Sequence, residues 1–383
     1  MRRSILSFNR FFTLVFSKQF NHNLIEKTVS QSLLKSETEV KSCLTKTTFS
    51  SQDLSTLLSP HAENYLETLA QKSVSITRQR FGNTMQLFIP MYLSNECFNT
   101  CTYCGFSLEY KYKRKTLNTD EIKQEATLLS QKGFKHILLL TGESPKHVST
   151  PYLKEALQII TPLFSSVGIE VQPLEQKEYQ TLIKAGADKL TLYQETYHKK
   201  SYLKYHTFGL KRNFNNRLDA IEKGAKAGFY QINIGALLGL YDWRYEAFSL
   251  ANHLDYLMKK YWKIKFAISF PRIQDMIGSF HEPYPINDKH LTQLITAFRL
   301  AYPDLGITLS TRESQTLRDN LAPLGITSMS AESNTSPAGY TKGHYEEQFQ
   351  TNDNRPLKSI ITMLKKKQLD PVTKDWDISL MPN

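Results

Sequence analysis

Residues 87–104 read LFIPMYLSNECFNTCTYC, which joins a short apolar run to a cluster of cysteines. The first half, residues 87–93, has the length and composition of a buried strand. The second half places Cys97, Cys101 and Cys104 in the spacing C-x3-C-x2-C. The stretch therefore predicts a strand whose carboxyl end carries three thiols.

The alternation of short apolar runs with longer helical runs continues along the chain. The predicted strands cover residues 87–93, 136–140, 169–172, 189–193, 231–235, 265–270, 307–310 and 327–330. Predicted helices include residues 60–80, 119–132, 175–185, 216–227, 243–261 and 289–301. This pattern predicts an α/β fold, a parallel (β/α)8 barrel of TIM type with an N-terminal helical extension. A doubly wound sheet is the main alternative, but no Gly-x-Gly-x-x-Gly follows the first strand.

Polar residues follow most of the predicted strands. They occur at residues 94–97, 141–143, 172–174, 194–198, 271–272, 311–313 and 331–333. In a parallel barrel, the loops that follow the strands meet at one face, and enzymes of this fold place their chemistry there. We therefore expect these residues to surround one site.

Three thiolates from one loop can bind three irons of a [4Fe–4S] cluster. The fourth iron then lacks a protein ligand and is open to the amino and carboxylate groups of S-adenosylmethionine. A zinc site needs four ligands, and a ferredoxin-type electron carrier needs a fourth cysteine. Cys43 is the one other cysteine in the sequence and lies outside the predicted barrel. So few cysteines, mostly clustered, indicate a metal site in a reducing compartment.

The segment after the first predicted strand that carries Cys97, Cys101 and Cys104, called the cysteine loop here, resembles that of the radical S-adenosylmethionine superfamily. The motifs around it are similar to those of the tyrosine lyases of thiamine biosynthesis, the 2-iminoacetate synthases. The matching motifs are YLSNEC at 92–97, CGFS at 104–107, KRKT at 113–116, LTGE at 140–143, EVQPL at 170–174, YQETYH at 193–198, GALLG at 235–239, SFPR at 269–272, STRE at 310–313 and KDWD at 374–377. We expect four units: an extension (1–56), which matches the family weakly, a helical lead-in (57–84), the barrel (85–345), and a C-terminal helix and tail (346–383).

The resemblance implies that Thr141, Gly142 and Glu143, after the second strand, bind the methionine amino group of S-adenosylmethionine. A glycine there permits close approach to the backbone, and a carboxylate suits an ammonium group. An ordinary turn between a strand and a helix is the structural alternative.

Five further residues are implied to bind the same cofactor. Glu170 and Gln172 alternate on the third predicted strand and so point the same way, towards the ribose or carboxylate. Gln194 and Glu195 end the fourth strand, and Tyr103 is expected beside the adenine. The alternatives are a satisfied polar layer inside the barrel and simple aromatic packing beside the cluster.

Arg312 is the main candidate for binding a substrate. An arginine at the end of a strand can hold a carboxylate with two hydrogen bonds, and the resemblance implies that this carboxylate belongs to an amino acid. Ser330 and Arg272 are further candidates. For Ser330 and Arg272, a structural salt bridge or hydrogen bond is the alternative.

The implied reaction is the radical cleavage of the Cα–Cβ bond of L-tyrosine to 2-iminoacetate and, after reduction of the remaining fragment, p-cresol. It needs an external one-electron donor, linked to a flavodoxin or to NADPH. Because the imine reacts with water, we expect direct transfer to thiazole synthase, with residues 109–115 as a hypothetical docking region.

Three other functions compete with this reading. A tyrosine lyase that makes carbon monoxide and cyanide carries a second cluster near its C-terminus, but no cysteine follows Cys104 here. A biotin-synthase-like enzyme also needs a second cluster. An iron–sulfur electron-transfer protein is the alternative outside enzymes.

The composition of the 383 residues fits a globular protein with a net charge of +12. Because the basic residues are scattered and no nucleic-acid-binding motif or long apolar run occurs, we expect neither nucleic acid nor a membrane as a partner. The first 25 residues contain no Asp or Glu. That composition is typical of an organelle transit peptide as well as of an ordinary N-terminal helix. We expect a cytoplasmic protein, with an organelle matrix as the alternative.

Overall fold

The structure, a computed structural model, describes residues 14–278, 280–341 and 345–373. The strands within these residues are β1 (Thr84–Ser94), β2 (His136–Thr141), β3 (Ser166–Glu170), β4 (Lys189–Glu195), β5 (Gln231–Ala236), β6 (Lys265–Ser269), β7 (Gly306–Leu309), β8 (Ser328–Ser330) and β9 (Asp370–Val372). All of them pair in parallel, and β1 joins both β2 and β8, so β1 to β8 close into a barrel. The predicted (β/α)8 barrel is confirmed. Strand β9 adds to the start of β1, with Thr84 opposite Asp370.

Helices surround the barrel and precede it. They are α1 (His22–Leu33), α2 (Glu37–Leu44), α3 (Leu54–Leu57), α4 (Leu66–Phe81), α5 (Thr119–Gln131), α6 (Thr150–Ile160), α7 (Gln176–Lys184), α8 (Lys199–Tyr205), α9 (Phe214–Ala227), α10 (Trp243–Lys260), α11 (Asp288–Ala301), α12 (Gln315–Leu321) and α13 (Leu357–Lys366). None of the helices described is long and apolar enough to cross a bilayer.

The N-terminal helices cover one side of the barrel, which confirms the helical extension. Helix α1 packs against α10, and α4 packs against α11. The ring of Phe16 stacks on His253 with 4.0 Å between the ring centroids. Apolar residues of the extension therefore share one core with the barrel. The boundaries of the four predicted units stay predictions.

Two predicted elements differ from the structure. The strand predicted at 169–172 is wrong in position, because β3 covers Ser166–Glu170 and pairs its first residue with His136. Its early residues include serine and glycine, whose low strand propensity concealed it. The helix predicted at 60–80 is a 3-10 turn (Pro60–Tyr65) followed by α4, since the backbone of Tyr65 leaves helical geometry, with φ −119° and ψ 24°.

Several small side chains face the inside of the barrel. Bulky branched side chains normally fill the interior of a TIM barrel. Here Ser166, Gly168, Thr191, Asn233 and Ser269 are among the residues that line a cavity of about 1150 Å³, open solvent at its mouth included. Small side chains thus leave room for a ligand that reaches into the barrel.

A buried ion pair ties the segment before α13 to the end of β8. The side chains of Arg318 and Asp353 are both fully buried and form a salt bridge. The Arg318 guanidinium also donates a hydrogen bond to the Ser330 carbonyl oxygen. On the outside, Arg355 bonds to both Asp353 and Asp319.

Replacing Asp353 with Ala should lower the free energy of unfolding by about 3–5 kcal/mol, because it leaves the Arg318 charge buried and unpaired. The matched change, Asp319→Ala, removes a partly exposed partner of Arg355 and should cost less than about 1 kcal/mol. Urea denaturation followed by circular dichroism measures both. Equal losses for the two variants would contradict this view of the buried pair.

Candidate active site at the carboxyl ends of the strands

The cysteine loop after β1 is held by one guanidinium group. Arg114 donates hydrogen bonds to the carbonyl oxygens of Asn95 (2.7 Å), Phe106 (2.9 Å), Ser107 (2.6 Å) and Tyr110 (3.2 Å). The planar fork of five N–H donors suits arginine to this task. One side chain thus connects the residues before and after the three cysteines.

The three thiols have the surroundings of cluster ligands. None of them forms a disulfide, and burial raises the pKa of each thiol, that of Cys104 to about 11. Such thiols ionise when a metal supplies positive charge. The amides of Asn99 and Gln348 donate to the Sγ atoms of Cys97 and Cys104, each over 3.8 Å, and hydrogen bonds of this kind tune cluster thiolates. These residues fit a [4Fe–4S] cluster.

The described residues contain no group of three His, Cys, Asp or Glu side chains that could converge on a single metal ion. In a cubane cluster each thiolate binds a different iron, so cluster ligands need not converge on one point. Cys43 lies apart in α2, where its Sγ is 3.9 Å from a carboxylate oxygen of Asp53.

Gly142 allows the cysteine loop to pack against the end of β2. A Cβ atom on Gly142 would lie 2.2 Å from the Glu96 carbonyl oxygen and 3.2 Å from the Cβ of Cys97. The cysteine loop therefore approaches the backbone closely at this glycine, and the contact of Gly142 with the cofactor stays a prediction. The neighbouring Thr141 hydroxyl is buried and has no hydrogen-bond partner among the described residues, so it is available to a ligand.

Glu143 and Glu195 belong to a buried ionic network. Arg217 lies 2.6 Å from a Glu143 oxygen and 3.2 Å from a Glu195 oxygen, and Lys211 lies 2.8 Å from Glu195. The other Glu143 oxygen accepts a hydrogen bond from Asn99 over 3.0 Å. Although burial opposes ionisation, Lys211 and Arg217 lower the pKa of Glu195 to about 2. The Glu195 carboxylate thus remains charged beside the cysteine loop, and the contacts of Glu143 and Glu195 to the cofactor stay predictions.

Three other residues predicted to bind the cofactor occupy different environments in the structure. Glu170 ends β3 and lines the cavity. Gln172 lies beyond that strand, so the prediction that the two alternate on it is wrong, and its amide donates to the Val148 carbonyl oxygen over 2.8 Å. The Gln194 amide lies 3.5 Å from the Phe214 carbonyl oxygen at the start of α9. Gln172 and Gln194 are absent from the described lining of the cavity.

Burial, with a contribution from the Glu195 charge, raises the pKa of Glu170 to about 7, while Arg312 acts in the opposite direction. A group with this pKa changes charge readily near neutrality, so a positive ligand beside it would favour the ionised form.

Tyr103 packs as a buried aromatic residue. Its hydroxyl lies 2.6 Å from Nε2 of His206, whose Nδ1 is 2.7 Å from the Tyr202 carbonyl oxygen. Because Nδ1 must carry the proton to bond that carbonyl, Nε2 accepts from the tyrosine hydroxyl. The side chain has the packing role given as the alternative, and the adenine contact stays a prediction.

Arg312 and Arg272 differ in their partners. Arg272 bonds to Glu313 through two nitrogens, to Asp288 over 2.9 Å and to the Ile286 carbonyl oxygen over 3.0 Å. Its guanidinium is therefore part of a structural salt bridge, the arrangement given as the alternative, and a contact of Arg272 with the substrate stays a prediction.

Arg312 lines the cavity, and no acidic side chain among the described residues pairs with it. The Phe349 ring covers one face of its guanidinium, 3.4 Å from the ring centroid. Ser330 also lines the cavity, and its hydroxyl accepts a hydrogen bond from the Thr311 amide over 3.1 Å. An unpaired arginine in a cavity is suited to an anionic ligand.

Several residues that organise this site were not predicted from the sequence. Asn99 and Arg114 lie within or close to the motifs quoted above. Their position near the cysteines could have indicated a role in the site. Lys211 and Arg217 follow the fourth strand. A basic residue in such a helical segment is usually expected to face solvent, so nothing in the sequence indicated that these two join a buried network. Gln348 carries no local pattern that connects it with Cys104.

A barrel with this cysteine loop after its first strand defines a radical S-adenosylmethionine enzyme. The chain matches the Radical SAM superfamily over residues 91–250 and the Biotin and Thiamin Synthesis associated domain over residues 269–370. The predicted [4Fe–4S] cluster and S-adenosylmethionine are thereby confirmed as cofactors of its class.

The chain is 42% identical over 345 residues to 2-iminoacetate synthase of Escherichia coli (strain K12), covering 90% of this chain and 92% of that protein. It is 43% identical, with the same coverage, to 2-iminoacetate synthase of Salmonella typhimurium (strain LT2). The chain belongs to the 2-iminoacetate synthase family.

Solved structures agree on the architecture. HydG, a maturase of the [FeFe]-hydrogenase, matches with a TM-score of 0.90 and 26% identity over 94% of this chain and 82% of that chain. HydG from Carboxydothermus hydrogenoformans matches with a TM-score of 0.83 and 31% identity over 93% of this chain and 85% of that chain.

Replacing Cys97, Cys101 or Cys104 with Ala should abolish assembly of the cluster, because each thiolate would hold one iron. Iron content and visible absorbance after anaerobic reconstitution measure the outcome. Cys43→Ser is the matched control and should retain the full iron content. A normal cluster in any one of the three Ala variants would contradict the assignment of that ligand.

Proposed function

We propose that the protein is a lyase that cleaves the Cα–Cβ bond of L-tyrosine to 2-iminoacetate and p-cresol, and so supplies part of the thiazole of thiamine. The observation that carries the proposal is one cavity that contains an arginine without an acidic partner among the described residues and that is also lined by Gln348, whose amide donates to Cys104 Sγ. Tyr92 lines this cavity and belongs to a buried cluster against which Cys97 and Cys104 pack. The identity with two 2-iminoacetate synthases supports the same activity.

When bound, the reduced cluster supplies the electron that cleaves S-adenosylmethionine and yields the radical that takes a hydrogen atom from tyrosine. The remaining task of the protein is to hold the amino acid beside the cysteine loop and to exclude water.

Two cavity residues match the polar groups of an amino acid. Arg312 offers a planar fork for the carboxylate. Glu170 offers a carboxylate for the ammonium group, which would hold Glu170 in its ionised form despite a pKa of about 7. Asn233 and Ser269 also line the cavity, are hydrogen-bonded to each other over 2.9 Å and provide polar partners for a phenol hydroxyl.

The reduced, reconstituted protein should convert S-adenosylmethionine and tyrosine to 5′-deoxyadenosine and p-cresol, detected by mass spectrometry. Arg312→Met should raise the tyrosine concentration for half-maximal p-cresol formation by about 10- to 100-fold. A loss of this size is expected when hydrogen bonds between the guanidinium and the substrate carboxylate are removed. For Arg312→Lys this tyrosine concentration should lie between those of Arg312→Met and the wild type, because lysine keeps the charge but lacks the planar pair of N–H donors.

Deoxyadenosine without p-cresol would reject tyrosine as the substrate and leave a related radical enzyme. An intact cluster that yields neither product would favour an electron-transfer protein. Carbon monoxide and cyanide among the products would indicate the lyase type that carries a second cluster.

The chemistry of the product favours a protein partner. Because 2-iminoacetate is hydrolysed in water, direct delivery to thiazole synthase is the second part of the proposal, with a flavodoxin- or NADPH-linked reductase as the electron donor. The need for such a reductant fits the reducing cytoplasm, or an organelle matrix.

The predicted docking region is smaller than its sequence suggests. Within residues 109–115, Arg114 holds the cysteine loop and Lys115 pairs with Glu121 over 2.6 Å. Lys111 and Lys113 are exposed, so these two carry the docking hypothesis.

The double variant Lys111→Glu/Lys113→Glu should lower thiazole formation several-fold in a coupled assay with thiazole synthase, since it reverses two exposed charges. Its p-cresol formation should not change. Lys358→Glu, an exposed change on α13, is the control and should transfer normally. Undiminished thiazole formation by the double variant would remove these residues from the docking surface.

A further inference from the structure

The segment 345–352, called the strap here, crosses the mouth of the cavity between β8 and α13. Its backbone is tied to the loops on either side. The Gly105 amide donates to the Gln348 carbonyl oxygen over 3.0 Å, and the Gln350 amide donates to the Asp275 carbonyl oxygen over 2.8 Å. The strap therefore bridges the cysteine loop and the loop after β6.

The strap packs directly on the residue that follows the third cysteine. A Cβ atom on Gly105 would lie 2.5 Å from the Glu347 carbonyl oxygen and 2.7 Å from that of Gln348. A glycine is thus required at this position for the strap to reach the cysteine loop.

The side chain of Gln348 is oriented by two partners. Its Oε1 atom accepts a hydrogen bond from the Tyr92 hydroxyl over 2.8 Å, and its Nε2 atom donates to Cys104 Sγ over 3.8 Å. Because the tyrosine hydroxyl occupies the oxygen end of the amide, the N–H end faces the sulfur. Tyr92 itself lines the cavity.

The next residue of the strap contacts the opposite wall of the cavity. The Phe349 ring covers the guanidinium of Arg312 at 3.4 Å. Two further bonds hold this part of the strap to the loop after β7. Asn352 donates from its side chain to the Arg312 carbonyl oxygen over 2.8 Å and from its backbone to that of Thr311 over 2.9 Å.

We propose that the strap positions both halves of the active site, with Gln348 as a positioning residue for the cluster ligand Cys104 and Phe349 as a positioning residue for Arg312. This inference rests on the proposed function for the role of Arg312 alone. Since the two residues are consecutive, binding of the substrate carboxylate at Arg312 and the state of the cluster at Cys104 are energetically linked.

Each contact has a defined physical effect. A donor to a cluster thiolate stabilises the more negative, reduced state and raises the reduction potential. An aromatic ring on one face of a guanidinium holds its plane by a cation–π interaction and leaves the N–H edge free for a carboxylate.

The first experiment is a redox titration of the reconstituted protein, followed by electron paramagnetic resonance without S-adenosylmethionine or tyrosine. Gln348→Leu should shift the midpoint potential to a more negative value, and Gln348→Glu further, because it adds a negative charge. Gln350→Leu, an exposed change on the same strap, should leave the potential unchanged.

Tyr92→Phe provides a second route to the same bond. It keeps Gln348 but removes the partner that orients its amide, and should shift the potential in the same direction by a smaller amount. It tests the bond even where the Gln348 variants assemble no cluster. Potentials equal to that of the wild type in all of these variants that assemble a cluster would overturn the inference.

The second experiment measures the linkage. Tyrosine should shift the potential of the wild type, and Phe349→Leu should remove that shift and weaken tyrosine binding about 3- to 30-fold. A wild type that makes no p-cresol would overturn the proposed function, while the shift caused by Gln348→Leu would still stand. An active wild type whose tyrosine-induced shift survives in Phe349→Leu would overturn the linkage.

Discussion

The site depends on how closely the cysteine loop lies against the end of β2, and this contact has no room for a side chain at Gly142. The Glu96 carbonyl oxygen would be 2.2 Å from a Cβ atom there. Backbone hydrogen bonds fix the same contact, from Gly142 to the Ser94 oxygen over 2.8 Å and from Phe98 to the Glu143 oxygen over 2.9 Å. The loop that carries the thiols is therefore an extension of the barrel wall, and the positions of the sulfurs are set by the sheet.

The ionic network continues from the same residue. Glu143 accepts the Phe98 amide with its backbone, while its side chain bonds to Arg217 and to Asn99, which in turn donates to Cys97. Removing two carboxylates and two cations from water is costly unless they are paired. Because every charge here has an opposite neighbour, the buried network can remain rigid beside a cluster whose own charge changes during turnover.

The fold and the cluster ligands could be predicted from local sequence patterns. The partners that side chains find in the tertiary structure could not. The eight strands and the spacing of Cys97 to Cys104 are read from neighbouring residues. Arg272 and Arg312 both follow strands and look alike in sequence, yet the first is saturated by Glu313 and Asp288 and the second is not. Gln348 reaches Cys104 across 244 positions, a distance at which one sequence carries no periodic signal.

The cavity inside the barrel gives the strap its importance. Small residues such as Gly168 and Ser269 do not fill the interior as the bulky side chains of most such barrels do. They leave a cavity that opens at the carboxyl ends of the strands. The lost apolar contacts are offset outside the sheet, where helices α1 to α4 extend one continuous core. A cavity opened in this way still needs a cover that excludes water from reactive intermediates. Gln348 and Phe349 of the strap line this cavity and contact Cys104 and Arg312, so the segment proposed to position the two halves of the site is also part of the wall that encloses it.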